Sequence, residues 1–312
     1  MNLFPFHIVI LSCKLAQPMA KNFPAKILLF GEYTILLGSS AIAIPIKNFQ
    51  SSWNFSDAPH PSQVHLQTLL QYLKTEDCDF LDLFRFDKEL KRGLLFDTNI
   101  PIGYGAGSSG VVSAAVLYRF ATNKSDKFDV VRGQLKFIED HFHGNSSGLD
   151  PLVSYHQKPI LIDTDKQIHF LEPLIRQDKC TFFLIDTQKS RSTAPLVEKF
   201  KALLQEENFL ATIKQDLVPD VSKAIDHLQS ENWDALFDTV HDISMFQYKY
   251  FKEMILPDFQ DLWLRSLSSD LYKLKLCGAG GGGFILGVSQ DYLAAKKQMR
   301  GYKLTKINPF GG

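Results

Sequence analysis

The chain reads as an α+β protein of two lobes, and three observations predict this. Short apolar runs bounded by Gly or Pro, the pattern of buried strands, occur in both halves. Several stretches of helical periodicity fill the C-terminal half. No internal repeat or low-complexity linker interrupts the mixture of strands and helices.

Taken in order, Ala25 to Phe30 is an apolar run between Pro24 and Gly31 and predicts a buried strand. Tyr33 to Leu37 and Ala41 to Ile46 continue a β-like pattern, punctuated by Gly38. His60 to Leu73 has helical spacing, and Leu94 to Phe96 is a short strand ended by Ile100-Pro101-Ile102-Gly103. Val111 to Phe120, rich in Ala and Val, predicts a buried helix starting on a glycine loop. Phe128 to Phe142 is a second helix, with Val131, Leu135 and Ile138 on its apolar face. Lys158 to Asp163 and Gln167 to Leu171 form a hairpin around Asp165, and Cys180 to Ile185 is a strand opening the second lobe. Helices follow over Thr193–Gln205, Thr212–Gln229, Trp233–Phe251 and Asp258–Leu267, with Pro195 suited to a first turn. Strands at Lys273–Cys277, Phe284–Val288 and Tyr302–Ile307 and a helix at Tyr292–Met299 complete the chain.

Composition narrows the function. The 312 residues are 45% hydrophobic and 22% charged, ordinary for a globular enzyme. Lys plus Arg equals Asp plus Glu at 34 each, so no global field draws nucleic acid or an anionic membrane. An anion must be captured by a local device. Cys13, Cys78, Cys180 and Cys277 form no CxxC pair, which argues against a disulfide framework or zinc site and fits a reducing, cytoplasmic setting. The apolar stretch Phe4 to Ser12 is too short to span a bilayer and lacks a basic flank. Met19 begins a run that reads as a protein start, so residues 1–18 are expected to be an upstream extension.

Three segments carry chemistry. Gly103-Tyr104-Gly105-Ala106-Gly107-Ser108-Ser109-Gly110 runs straight into an apolar helix. Glycines let the backbone turn its N–H groups inward, the helix start adds free donors, and the serines add hydroxyls. This reads as a phosphate cradle. Gly105, Gly107 and Gly110 also match GxGxxG, but the region about 20 residues on is the polar loop Asn123-Lys124-Ser125-Asp126, not an acidic strand end. No GK[ST] follows the glycines, so a Walker A loop is absent. The second segment, Phe137 to Pro151, concentrates Glu139, Asp140, His141, His143 and Asp150. A helix carrying Glu139 ends near Gly144, and a small-residue loop delivers Asp150. Two carboxylates could then serve one Mg²⁺ and one proton, and a transition metal is the alternative, although His141 and His143 face different ways on a helix. The third is the glycine run Gly278 to Gly283 between two strands, read as a second wall of the site or as a flexible hairpin.

Together, in this order, the segments resemble the GHMP small-molecule kinases, the mevalonate kinases most of all. The resemblance covers most of the chain after about residue 22. It is carried by Pro24-Ala25-Lys26-Ile27-Leu28-Leu29-Phe30-Gly31-Glu32-Tyr33, by Pro101 to Gly110, by His143-Gly144-Asn145-Ser146-Ser147-Gly148-Leu149-Asp150 and by Lys275 to Gly283. It implies a two-lobed fold, with an ATP-binding domain over 19–176 and a C-terminal domain over 177–312.

By resemblance the catalytic aspartate falls on Asp150, with Lys26 beside it. ATP is held by Gly103, Tyr104, Gly105, Ala106, Gly107, Ser108 and Ser109, and Mg²⁺ by Ser109 and Glu139. The substrate side is Glu32, Tyr33, Ser147, Thr193 and Gly280, and the stretch Asp186 to Thr193 resembles the substrate-side loop, with Thr193 near the reacting site. The implied activity is phosphorylation of a small alcohol, mevalonate to 5-phosphomevalonate first. The alternatives are phosphomevalonate kinase, diphosphomevalonate decarboxylase or a non-catalytic ATP-binding sensor. No nucleic acid or membrane partner is implied, and a homodimer is compatible. Three positions depart from the pattern. Tyr33 stands where the family has a histidine that helps hold the acceptor, Ser146 replaces a proline, and Gly110 replaces an alanine.

Overall fold

The computed structural model of the chain describes residues 21–172 and 179–309. The extension expected over 1–18, Cys13 and the boundary expected at 176/177 lie outside these residues. Cys78, Cys180 and Cys277 are free thiols.

One long strand organises the first sheet. β1 (Phe23–Phe30) pairs antiparallel with β2 (Ala41–Phe55) through Ala25↔Ile46 and Lys26↔Pro45. The other edge of β2 takes β3 (Leu94–Thr98) at Ser51 to Phe55 and β4 (Ile160–Ile162) at Ala41 to Ala43. β5 (Ile168–Phe170) closes the expected hairpin with β4. The residues between β1 and β2 do not continue the β pattern read in the sequence. Gly31, Tyr33 and Gly38 all have positive φ, and Thr34–Leu37 is a 3-10 turn in which the Thr34, Ile35 and Leu36 amides donate to the Glu32, Gly31 and Tyr33 carbonyls and the Gly38 amide to that of Ile35. A backbone spent on local bonds in a corner cannot join a ladder.

Helices cover this sheet. α1 (Pro61–Thr75) starts on a capping box of His60 and Gln63, and the unexpected α2 (Leu83–Lys91) starts on Asp82, whose side chain accepts from the Arg85 amide. α3 (Ser108–Phe120) is the most buried, packed between β1, α4 (Phe128–His143) and α5 (Leu149–His156). Its Gly, Ala and Ser positions permit this close approach: a Cβ on Gly110 would lie 2.8 Å from the Pro151 nitrogen on α5. The alanine expected at this position would therefore collide here.

The second sheet has β6 (Thr181–Asp186) paired with β8 (Phe284–Ser289) and β9 (Lys303–Ile307), and β7 (Tyr272–Leu276) on the far side of β8. α6 (Thr193–Leu203) follows β6. The helix expected over Thr212–Gln229 starts earlier, as α7 (Glu207–Thr212), and passes through a π turn at Ile213–Leu217 into α8 (Val218–Gln229). Pro219 accounts for the π turn: it cannot donate, its ring crowds the preceding turn, and the wider turn absorbs both. α9 (Trp233–Tyr250), α10 (Pro257–Leu267) and α11 (Tyr292–Gln298) complete the helices among the described residues.

The lobes meet through apolar and polar contacts. Phe49 and Tyr104 both pack on Phe284, at 5.1 Å between ring centroids. Lys275 on β7 reaches the β1 corner, where Nζ bonds Glu32 Oε1 at 2.5 Å and the Leu29 carbonyl at 2.9 Å.

Candidate active site

The first glycine loop joins β3 to α3. Gly107 is the N-cap of α3 in the left-handed region, and a Cβ there would lie 2.8 Å from Lys26 Cγ. The Lys26 amide donates to the Ala106 carbonyl at 3.0 Å, tying the loop to β1. No side chain caps α3 and its first turn holds no acid, so its N–H groups and partial positive charge are free for an anion.

Beside this helix start, Lys26 Nζ lies 2.7 Å from Asp150 Oδ2. The sequence reading delivered Asp150 from a loop. Instead it sits in the first turn of α5, which begins at Gly148 with φ +71°. Pro151 is compatible with the first turn because its missing N–H would be unpaired there.

Glu139 lies on α4 and is buried. Ser109 Oγ lies 3.4 Å from its Oε1 and 2.8 Å from His143 Nε2, while Ser146 Oγ donates to its Oε2. Burial first, then the Asp150 charge, push the Glu139 carboxyl up to about 7, against the opposing pull of Ser146, Lys26 and Ser109. His141, on a different face, packs against Tyr72 with ring centroids 4.9 Å apart, and burial lowers its pKa.

These groups share one cleft of about 840 Å³, within the range for small-molecule sites. Lys26, Gly103, Gly105, Ala106, Gly107, Ser108, Ser109, Asp150 and Thr193 line it. Cys277, Gly278 and Ala279 form the opposite wall. Glu139 lies just behind Ser109.

Five expected residues are turned elsewhere. Tyr104 donates its hydroxyl to Asp186 at 2.9 Å, fixing its ring in the lobe junction. Glu32 is buried in the Lys275 pair. Tyr33 donates to the Ala279 carbonyl at 2.7 Å and packs on Phe200 and Phe251. Ser147 is exposed and its carbonyl accepts from Arg132; its neighbour Ser146 makes the inward contact. Gly280 faces away, where a Cβ would lie 2.4 Å from the Met254 carbonyl.

The sequence reading gave no role to Arg191. Its amide donates to the Gly103 carbonyl at 2.8 Å, and Nη1 donates to the Cys277 and Gly280 carbonyls at 3.0 and 3.2 Å. A Cβ on Gly105 would lie 2.0 Å from its Nη2. The guanidinium therefore fills the gap between the two glycine loops. The available signal was an arginine between a strand end and a helix, facing two glycine runs.

No family model and no curated sequence matches the chain. Solved structures do. The L. major mevalonate kinase in complex with R-mevalonate superposes with TM-score 0.65 at 18% identity, over 95% of this chain and 98% of that one. The Streptococcus pneumoniae phosphomevalonate kinase with phosphomevalonate and AMPPNP gives 0.60 at 18%, over 93% and 100%. The Lactococcus lactis galactokinase complexed with galactose gives 0.61 at 14%, over 94% of each. The chain has the GHMP kinase fold. Within that fold, its Lys26–Asp150 pair and glycine-capped α3 face one cleft from the N-terminal side, and the β6–α6 segment faces it from the other. Among the described residues, no helix is long and apolar enough to cross a membrane.

Proposed function

We propose that the chain is an ATP-dependent phosphotransferase acting on a hydroxyl of a small molecule, with mevalonate the first acceptor to test. The observation that carries this reading is the Lys26–Asp150 pair, 2.7 Å apart, beside the uncapped N-terminus of α3 in one cleft.

In this reading the N–H groups of the 103–109 loop and of α3 bind the ATP phosphates. The acceptor oxygen attacks the γ-phosphorus, its proton passes to Asp150, and the bond to the bridging oxygen breaks to release ADP. Lys26 offsets charge on the transferring group, and Arg191, between the glycine loops, adds positive charge to the same wall. The donor set at Ser109 and Glu139 is two hard oxygens. Among the described residues, no group of three or more His, Cys, Asp or Glu is arranged to hold a metal ion. That set suits Mg²⁺ held jointly with phosphate oxygens rather than a closed protein cage. Bound there, Mg²⁺ supplies charge neutralisation.

The acceptor end is bounded by Leu28 on β1 and by Val197, Glu198 and Lys201 on α6. Lys201 is paired there with Glu198 at 2.8 Å, and an acceptor bearing an anionic group, which mevalonate has and phosphomevalonate has twice over, would compete with Glu198 for that lysine. Phosphomevalonate kinase is therefore the second reading.

ADP release should be measured with mevalonate, phosphomevalonate and galactose, and the products identified by mass. Asp150→Asn should lower turnover by about 10²–10⁴-fold and leave nucleotide binding intact. Normal turnover in that variant refutes the role, and tight ATP binding with no turnover on any acceptor favours a sensor.

A further inference from the structure

Ser146 stands where the resemblance places proline, and it makes three hydrogen bonds that proline cannot. Its amide donates to Asp140 Oδ1 at 2.5 Å, fastening the turn after α4 back onto that helix. Its Oγ accepts the Gly148 amide at 3.0 Å and gives its single proton to Glu139 Oε2. Asp140 is itself held by Lys136 at 2.8 Å, and Lys136 also reaches Asn145, which lines the cleft. The hydroxyl of Ser146 is therefore fixed on both sides.

One oxygen of Glu139 is thus committed to Ser146, and the other, Oε1, faces Ser109 and the phosphate cradle. A carboxylate held in this way offers a cation one oxygen. Mg²⁺ and Mn²⁺ are bound through single carboxylate oxygens in tight octahedral shells, whereas Ca²⁺ is larger and readily takes both oxygens. We infer that Ser146 is a positioning residue that keeps Glu139 monodentate and so makes the site selective for a small octahedral cation bound with nucleotide. The inference rests on the phosphotransferase reading, in which Ser109 and Glu139 face a nucleotide-bound cation.

The test is binding rather than turnover, so it needs no acceptor. Mn²⁺ binding to the full chain with AMPPNP is followed by electron paramagnetic resonance, with Mg²⁺ and Ca²⁺ as competitors. Ser146→Ala should weaken Mn²⁺ by about tenfold, as loss of a partner hydrogen-bonded to a ligand typically does. It should also narrow the preference for Mg²⁺ over Ca²⁺, because the freed oxygen can join a bidentate contact. Ser146→Thr, which keeps the hydroxyl, should restore both. Unchanged Mn²⁺ affinity and Mg²⁺/Ca²⁺ preference in Ser146→Ala, or a Thr variant that behaves like Ala, overturns the inference and leaves the phosphotransferase reading standing. Absence of nucleotide-dependent Mn²⁺ binding in the unaltered protein overturns the reading itself, and the inference with it.

Discussion

Replacing Lys275 with methionine should strand a buried carboxylate and loosen the junction of the two lobes. The Lys275 and Glu32 side chains are 1% and 2% exposed. The three ammonium protons of Lys275 have three acceptors: Glu32 Oε1, the Leu29 carbonyl and the Leu276 carbonyl, the last at 2.8 Å. Methionine keeps the length and apolar stem but removes the charge and all three donors. Breaking a buried pair by deleting one partner costs about 3–5 kcal/mol, most of it the penalty of the charge left behind. Burial already pushes the Glu32 carboxyl up against the pull of Lys275, and without that pull it rises further. A carboxyl raised in the folded state favours folding below its unfolded value, near 4.3, and loses that contribution as pH rises through its folded value. The deficit of the variant should therefore be larger at pH 7.5 than at pH 5.5. Urea unfolding at both pH values, followed by the fluorescence of Trp53 in one lobe and Trp233 and Trp263 in the other, gives the comparison. Glu32→Leu with Lys275→Met should recover most of the loss, because an apolar pair carries no desolvation penalty. A single-variant deficit under about 1 kcal/mol, or one equal at the two pH values, refutes the reasoning.

Two further outcomes follow from the cleft walls. Burial pushes the Cys277 thiol up to about 11, so iodoacetamide should leave it unlabelled at pH 7.5 and modify it only as pH approaches that value; stoichiometric labelling at pH 7.5 by peptide mapping would contradict its buried setting. Lys201→Ala should raise the acceptor KM about tenfold, the worth of one charged hydrogen bond, and leave the ATP KM unchanged. Its melting temperature should not move either, because the Lys201–Glu198 pair is exposed; an unchanged acceptor KM removes Lys201 from the acceptor site.

The glycine loop and the helix it starts were legible because their signal is local: closely spaced glycines, two serines and an apolar helix in one run. The joint placement of Lys26, Glu139 and Asp150 was legible only through the family resemblance, since nothing local links β1 to α4 and α5. The short helices α2 and α5 were missed for a physical reason. Nine and eight residues give barely two turns of periodicity, and their signals are caps and a first-turn proline rather than an apolar stripe. The turn after Gly31 misled in the opposite direction, since Thr34-Ile35-Leu36-Leu37 has strand composition but lies between residues at positive φ. Arg191 shows the hardest class. Its contacts are to backbone carbonyls of a distant loop, and only the folded chain brings them together.

Tyr33 bears most directly on the acceptor. Its backbone is held at φ +65°, its ring lies 4.5 Å from Phe200 on α6, and its hydroxyl is spent on Ala279 in the second glycine run. The corner after β1, the second glycine run and α6 are therefore joined at the position where the resemblance expects an acceptor-holding histidine. A buried hydroxyl with a satisfied bond gains little by exchanging it for a substrate. In the phosphotransferase reading, acceptor recognition then falls to what still faces the cleft, namely Leu28, Thr193 and Val197, with Lys201 beside them. The groups assigned to the chemistry, Lys26, Ser109, Glu139 and Asp150, come from β1, α3, α4 and α5, whereas the wall proposed for the acceptor comes mainly from α6. That separation lets Tyr33 take a structural role without disturbing the Lys26–Asp150 pair.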